Sequence, residues 1–194
     1  MDKILNKIYE GVIFIPLHYE ELKNIKINTH EKLYGEVTKS GMESIIDYLK
    51  NKNLFSDINF LDLGCGNGRA VIHMGYYNEV VNSTGIEIFK SKIKYGNKIL
   101  NEIEDIYLNK DKISLKCMNF FEYDNLHNHN VVLINNAGAQ EKKYDIIFNK
   151  LKSDTTIFSV FQLPTNTLNF IEKINCQYSW NVDKKSLIHV YKKK

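Results

Sequence analysis

Arginine is almost absent from this chain. Arg69 is the only arginine among 26 Lys and Arg residues, which stand against 23 Asp and Glu for a formal net charge of +3. Any anionic partner must therefore be met by lysines, point charges without the bidentate fork of a guanidinium. The bias is what A/T-rich coding DNA produces, as in a large DNA virus, a protist or an A/T-rich bacterium. Proline is scarce, with Pro16 and Pro164 alone, and neither a low-complexity linker nor an internal repeat divides the chain. The three cysteines, Cys65, Cys117 and Cys176, are odd in number and widely spaced. That argues against a disulfide framework or a zinc site and for a reducing compartment. No apolar run approaches the roughly 18 residues that span a bilayer. Met1 to Glu10 lacks the apolar core of a signal peptide, so an intracellular chain is expected. The six histidines show no metal-ligand spacing, and His127 and His129, flanking one residue in an Asn-rich stretch, read as solvated. No metal is expected.

What is present is ordinary for a globular protein: 194 residues, 43% hydrophobic and 25% charged. That length is one domain's worth. Residues 1–54 read as a mostly helical leader, with clear helical spacing in Met42, Ile45, Ile46 and Leu49 after Ser40-Gly41. From Ile58 the pattern becomes an alternation of strands and helices, residues 55–194. Strands are predicted at Ile58–Leu63, Ser83–Ile88, Ile113–Cys117, Val131–Ile134 and Thr155–Val160. Helices are predicted at Ala70–Tyr77, Phe89–Tyr107 and Glu141–Lys152. Tyr178–Trp180 and Leu187–Tyr191 read as a closing hairpin. Such alternation predicts an α/β fold, a mostly parallel sheet with helices on both faces.

The strongest local pattern is Leu61-Asp62-Leu63-Gly64-Cys65-Gly66-Asn67-Gly68. A strand ends, three alternate glycines follow and a helix begins. Glycines there permit positive φ and close approach of a ligand to the backbone. Nineteen residues past Gly68, Glu87 ends the next strand, where a carboxylate can accept hydrogen bonds from ribose hydroxyls. Together these imply an adenosine-type cofactor at the carboxyl ends of the strands. Dinucleotide loops use G-x-G-x-x-G to seat a pyrophosphate on a helix N-terminus. Here the loop is G-x-G-x-G preceded by Asp62, which resembles motif I of class I S-adenosylmethionine-dependent methyltransferases. That cofactor has no phosphate and carries an amino-acid tail and a sulfonium, so a carboxylate beside the loop suits its cationic end. In this superfamily a polar residue after the third strand meets the adenine amino group and an aromatic packs on the ring; Asn119-Phe120 occupy that place. Plain core packing of Phe120 and Phe121 is the competing reading.

Three further segments bear on the substrate: Tyr34-Gly35-Glu36-Val37-Thr38 before motif I, Val131-Val132-Leu133-Ile134-Asn135-Asn136 at the fourth strand, and Ser179-Trp180 with His189 nine residues past the Trp. In this order they resemble the disruptor-of-telomeric-silencing family of histone methyltransferases over roughly residues 15–192. The resemblance implies a Rossmann-like, non-SET enzyme that uses S-adenosylmethionine, releases S-adenosylhomocysteine and methylates a lysine on the globular face of histone H3 in nucleosomes. It also implies roles. Tyr34, Gly35, Glu36, Val37 and Thr38 close over the methionine end of the cofactor. Asp62, Gly64, Gly66 and Asn67 line the turn, Glu87 holds the ribose, and Asn119 and Phe120 flank the adenine. Asn135 sits beside the sulfonium and the incoming lysine, and Trp180 walls the lysine channel, with Tyr34 counted alongside them as catalytic.

The sequence departs from the family at Asn119, where an acid is usual, at Ala137-Gly138-Ala139, where aromatics follow the Asn pair, and at Leu187, which aligns with an aromatic of the lysine channel. A roomier or differently walled channel is expected. A nucleosome partner implies contacts from histone H3, the histone acidic patch and DNA phosphates to lysines. The candidates are Lys184, Lys185, Lys192, Lys193 and Lys194 near the C-terminus, and Lys90, Lys92, Lys94 and Lys98 on one helix, the latter reading first as a solvated face. A monomeric catalytic core in a nucleus, host nucleus or viral factory is the expectation. Methylation of a non-histone lysine or a small molecule, or cofactor binding without activity, are the alternatives.

Overall fold

The computed structural model describes residues 2–10, 35–135, 144–163, 166–181 and 186–194. Five helices lie within them: α1 (Asp2–Tyr9), α2 (Lys39–Asn51), α3 (Arg69–Gly75), α4 (Lys90–Glu102) and α5 (Tyr144–Lys150). Seven strands form one sheet: β1 (Ile58–Leu63), β2 (Val80–Glu87), β3 (Ile113–Cys117), β4 (Val131–Ile134), β5 (Thr156–Ser159), β6 (Leu168–Asn175) and β7 (Leu187–Lys193). Their order is β3-β2-β1-β4-β5-β7-β6. The first five are parallel, and β7 runs antiparallel to both β5 and β6. The predicted α/β architecture is therefore present. The strand order reverses between β1 and β4, and a crevice opens at their carboxyl ends, where open α/β sheets bind ligands.

Alternation along the strands divides the core. Ile58 and Phe60 face one layer with Leu5, Ile8, Met42, Ile45, Ile46, Leu49, Val71 and Ile93. Leu61 and Leu63 face the other with Ile86, Phe120, Val132, Ile134 and Phe148. Helices α1 to α4 thus cover one face, and α5 with the short turns before β4 covers the other. Both described helices of the leader contribute to the first layer. Helix α2 starts where Thr38 caps it, its side chain accepting from Gly41 N at 3.2 Å.

Several expectations are corrected. The closing hairpin pairs β7 with Leu168–Asn175, not with Tyr178–Trp180. Strand β6 lies at the sheet edge and only Leu168 is fully buried, so it lacks a clean apolar period. Tyr178 instead makes an isolated bridge to Val37. Strand β2 begins at Val80 rather than Ser83, and α4 ends at Glu102, well short of Tyr107. His129 is not solvated: it is 4% exposed, its Nε2 meets Tyr123 Oη at 3.1 Å, and burial lowers its pKa to about 4. Lys92 is likewise buried, its ammonium 4.9 Å from the Phe89 ring centre.

Candidate functional site

The glycine loop is built at the end of β1. Gly64, Gly66 and Gly68 have φ of 88°, 55° and 73°, the left-handed region where a side chain is strained. Gly64 N and Cys65 N both donate to Ile86 O, at 2.9 and 3.0 Å, which binds the loop to β2. At the end of β2, Glu87 Oε2 accepts from Gly66 N at 3.0 Å, while Oε1 accepts from Ile88 N at 2.8 Å and Phe89 N at 3.0 Å. Three backbone amides thus orient this carboxylate beside the loop. Met118 N donates to Glu87 O at 2.9 Å, which brings Asn119 next to it. Asn119 caps the turn Phe120–Glu122, its side chain accepting from Phe121 N at 3.1 Å. Phe120 packs on Phe121, with ring centres 4.5 Å apart, and lies parallel to Tyr144.

On the other side of the crevice the segment 35–38 crosses the mouth, held at every residue. Asn135 Nδ2 donates to Gly35 O at 3.0 Å. Glu36 N donates to Ser179 Oγ, and Ser179 N to Glu36 O, each at 2.9 Å. Val37 bridges Tyr178, and Thr38 N donates to Gln177 O at 3.0 Å. Trp180 stacks on Tyr178 with centres 4.6 Å apart and planes 6° apart, and its indole lies so close over Gly35 that a Cβ there would collide with it. Tyr178 Oη donates to Leu187 O at 3.0 Å, placing Leu187 beside this stack.

Between the two walls lies a small cleft lined by Gly35, Glu36, Val37, Asp62, Gly64, Cys65, Gly66, Arg69, Ala70, Leu133 and Asn135. Asp62 is 3% exposed, and its Oδ1 has no hydrogen-bond partner among the described residues. Burial, then Glu87 and Glu36, push its carboxyl well above the ordinary range. An acceptor left bare in an acidic cleft is a place for a cationic donor. The ammonium and sulfonium of S-adenosylmethionine supply such charges, and its ribose suits Glu87. The residues present fit this cofactor.

The structure brings together most of the residues expected from sequence. Gly35, Glu36, Val37, Asp62, Gly64, Gly66 and Asn135 line one cleft, with Glu87 against its loop. Thr38 caps α2, and Asn67 is fully buried with neither side-chain amide atom hydrogen-bonded among the described residues; neither lines the cleft. Trp180 stands half-exposed at the mouth. Tyr34, Asn136, Ala137 to Ala139, Lys184 and Lys185 lie outside the described residues. The remaining lysines do not form a loose tail. Lys192 and Lys193 are in β7, Lys192 Nζ donates to Asp154 O at 2.7 Å, and Lys194 Nζ donates to Asn166 O at 2.6 Å.

Sequence reasoning missed Arg69. It is 2% exposed, its Nη1 donates to Glu36 Oε2 at 2.7 Å, and its Nη2 donates to Glu10 O at 3.3 Å. The available signal was its uniqueness, directly after Gly68. Among the described residues no cluster of three His, Cys, Asp or Glu side chains is placed to hold a metal, and no helix is long and apolar enough to cross a membrane.

Among solved structures, an RNA methyltransferase from Salinibacter ruber, in complex with S-adenosylhomocysteine, is similar to this chain at 19% identity and TM-score 0.59, covering 76% of this chain and 89% of that one. A magnesium protoporphyrin IX methyltransferase from Synechocystis, with S-adenosylmethionine bound, matches at 11% identity and TM-score 0.62, covering 100% and 91%. An N-methyltransferase from Bradyrhizobium japonicum matches at 11% and 0.56, covering 80% and 94%. At these identities the likeness is one of fold. Comparison with curated proteins gives no match. The family model of the histone methylation protein DOT1 matches residues 12–193. With that match over nearly its whole length, the chain belongs to the DOT1 histone methylation family and is an S-adenosylmethionine-dependent methyltransferase.

Proposed function

We propose that this enzyme methylates a protein lysine, on the globular face of histone H3 as presented by a nucleosome, and that it works in a nucleus or viral factory. The observation that carries the reading is the mouth of the cleft. Asn135, Gly35 and Trp180 meet there, a carboxamide and a flat aromatic edge beside the acid-lined cleft. A carboxamide and an aromatic face beside an acid-lined cleft suit a side chain with an apolar stem and an amine end.

The bound cofactor supplies an electrophilic methyl group. The chain's own residues prepare the amine. A free lysine has a pKa of about 10.4, so it arrives mostly as the ammonium. Passage along Trp180 removes water and disfavours that charge, so the proton leaves to solvent before attack. The Asn135 amide nitrogen is engaged by Gly35 O. Its carbonyl oxygen is the end that accepts an amine N–H and directs the nitrogen lone pair. Asn135 therefore positions the amine rather than deprotonating it, and alignment contributes the rest of the rate. Partner contacts fall to exposed lysines, since Arg69 is buried.

The test is to incubate the protein and labelled methyl donor with nucleosomes, free histone octamer and a panel of small amines, then map the label by mass spectrometry. Label on an H3 lysine in nucleosomes is expected. Label confined to free histones or small amines, or none at all, overturns the reading.

A further inference from the structure

The lysines expected to meet an anionic partner divide into two groups in the structure. Those described near the C-terminus are engaged: Lys192 Nζ donates to Asp154 O, Lys193 Nζ to Lys194 O and Lys194 Nζ to Asn166 O. Lys92 is buried against Phe89. Lys90 and Lys94 differ. Both are exposed on α4, and neither has a hydrogen bond or ion pair among the described residues. Lys98 has Glu102 at 3.9 Å, an exposed pair that contributes little. Residues four apart share one helix face, so these three lysines form a stripe about 12 Å long. They line an open surface groove with Asn97, Asn101 and the exposed Cys117 of β3.

The stripe works against the helix that carries it. Lys90 is the first residue of α4, at the positive end of the helix dipole, and the first turn holds no acid. Lys90 with Lys94, and Lys94 with Lys98, are like charges at the repulsive i,i+4 spacing. A solvated helix face interleaves both signs, whereas Glu102, in the last position, is the only acid of α4. A polyanion laid along the stripe removes all three penalties. The groove also says which polyanion. Its cations are all lysine, without the fork that matches a carboxylate. Single strands need aromatic platforms, but Tyr95 packs on the core and Phe89 is buried. A row of point charges with amide donors beside it suits a duplex backbone, which carries one charge about every 1.7 Å. We infer that α4 is a docking surface for duplex DNA, with Lys90, Lys94 and Lys98 on phosphates and no reading of base sequence. The inference rests on the nucleosome reading above and goes beyond it by moving the DNA contact from the C-terminal lysines to α4. Strand β3 is three strands from β4, about 14 Å, so a duplex on the stripe lies beside the mouth and leaves it open to a protein lysine.

The test is fluorescence anisotropy of a short labelled duplex across a salt series. K90Q/K94Q/K98Q is compared with K3Q/K152Q/K173Q, which removes the same charge from exposed positions off the stripe. The stripe variant should flatten the dependence of log affinity on log salt by about 2.7, three phosphate contacts at about 0.9 each, and bind at least about tenfold more weakly at ~0.1 M salt. The control should stay near the wild type, and K90R/K94R/K98R should keep both affinity and slope. Duplex should also slow alkylation of Cys117, the one exposed cysteine, in the wild type and not in the stripe variant. With nucleosomes as substrate the stripe variant should raise KM and leave kcat in place. An unchanged slope in the stripe variant, equal losses in both glutamine variants, or a stripe-dependent preference for single strands or free histones would overturn the inference alone. If duplex binding depends on the stripe while nucleosomes take no label, the nucleosome reading falls and the DNA surface stands.

Discussion

Removing Glu36 should unfold more than it appears to touch. The Glu36–Arg69 pair has side chains 10% and 2% exposed and an N–O distance of 2.7 Å. Substituting Glu36→Leu removes the acid from the buried guanidinium, and breaking a buried pair on one side costs about 3–5 kcal/mol. In a domain of this length about 1 kcal/mol shifts the melting temperature by ~2–4 °C, so a fall of about 6–20 °C is expected. Replacing both partners, E36L with R69M, removes the charge as well as its partner and should restore most of that loss. The assay is a double-mutant cycle by urea unfolding, with thermal melts as a second readout and a constant denaturant slope as the check on two-state behaviour. A coupling of about 2 kcal/mol or more is expected. A value below roughly 0.5 kcal/mol, the worth of an exposed pair, would refute the premise that this pair is buried and holds segment 35–38 to the core.

The other predictions concern single positions at the cleft. Asp62 titrates above the ordinary carboxylate range in the folded chain, so the folded state keeps its proton to higher pH than the unfolded one. Stability of the ligand-free protein should therefore fall as pH rises from about 4, the unfolded value, through the raised native value. Asp62→Asn should flatten that slope in melts across pH and weaken S-adenosylmethionine binding in calorimetry; an unchanged slope would refute the assignment. Gly35→Ala drives a methyl group into the Trp180 indole, so the stack on Tyr178 must shift. Methyl transfer should drop about a hundredfold, the cost of roughly 1 Å of misplacement, while far-ultraviolet circular dichroism stays native. Asn135→Ala should lower kcat at saturating cofactor by up to about a hundredfold, the cost of misaligning the amine, and full activity there would remove its positioning role.

Local pattern and long-range geometry were unequally legible. Strand β1 and the loop after it could be read because a central parallel strand is apolar throughout and its glycines sit at fixed offsets. Strand β4, buried at all four positions, was legible for the same reason, whereas β3 lies at the sheet edge and was marked by turn residues close to its ends. Strand β6 could not be read, because Leu168 is its one buried residue and most of its other positions are exposed, so no apolar period marks it. His129 looked solvated in its Asn-rich stretch, yet Tyr123, six residues away, buries it.

The sequence by itself determined the fold class, the glycine loop with Glu87, and the family to which the chain belongs. Each is written in neighbouring residues, where periodicity and turn chemistry act over a few positions. Only the tertiary structure decided how the cleft is closed. Glu36 meets Arg69 across 33 residues, Gly35 meets Asn135 across 100, and Glu36 meets Ser179 across 143. No local preference encodes such contacts; they exist because the sheet brings distant segments to the carboxyl ends of β1 and β4. The near-absence of arginine is legible in composition, but its meaning is not. Only the tertiary structure places the one exception, Arg69, buried at the cleft and paired with an acid of its wall.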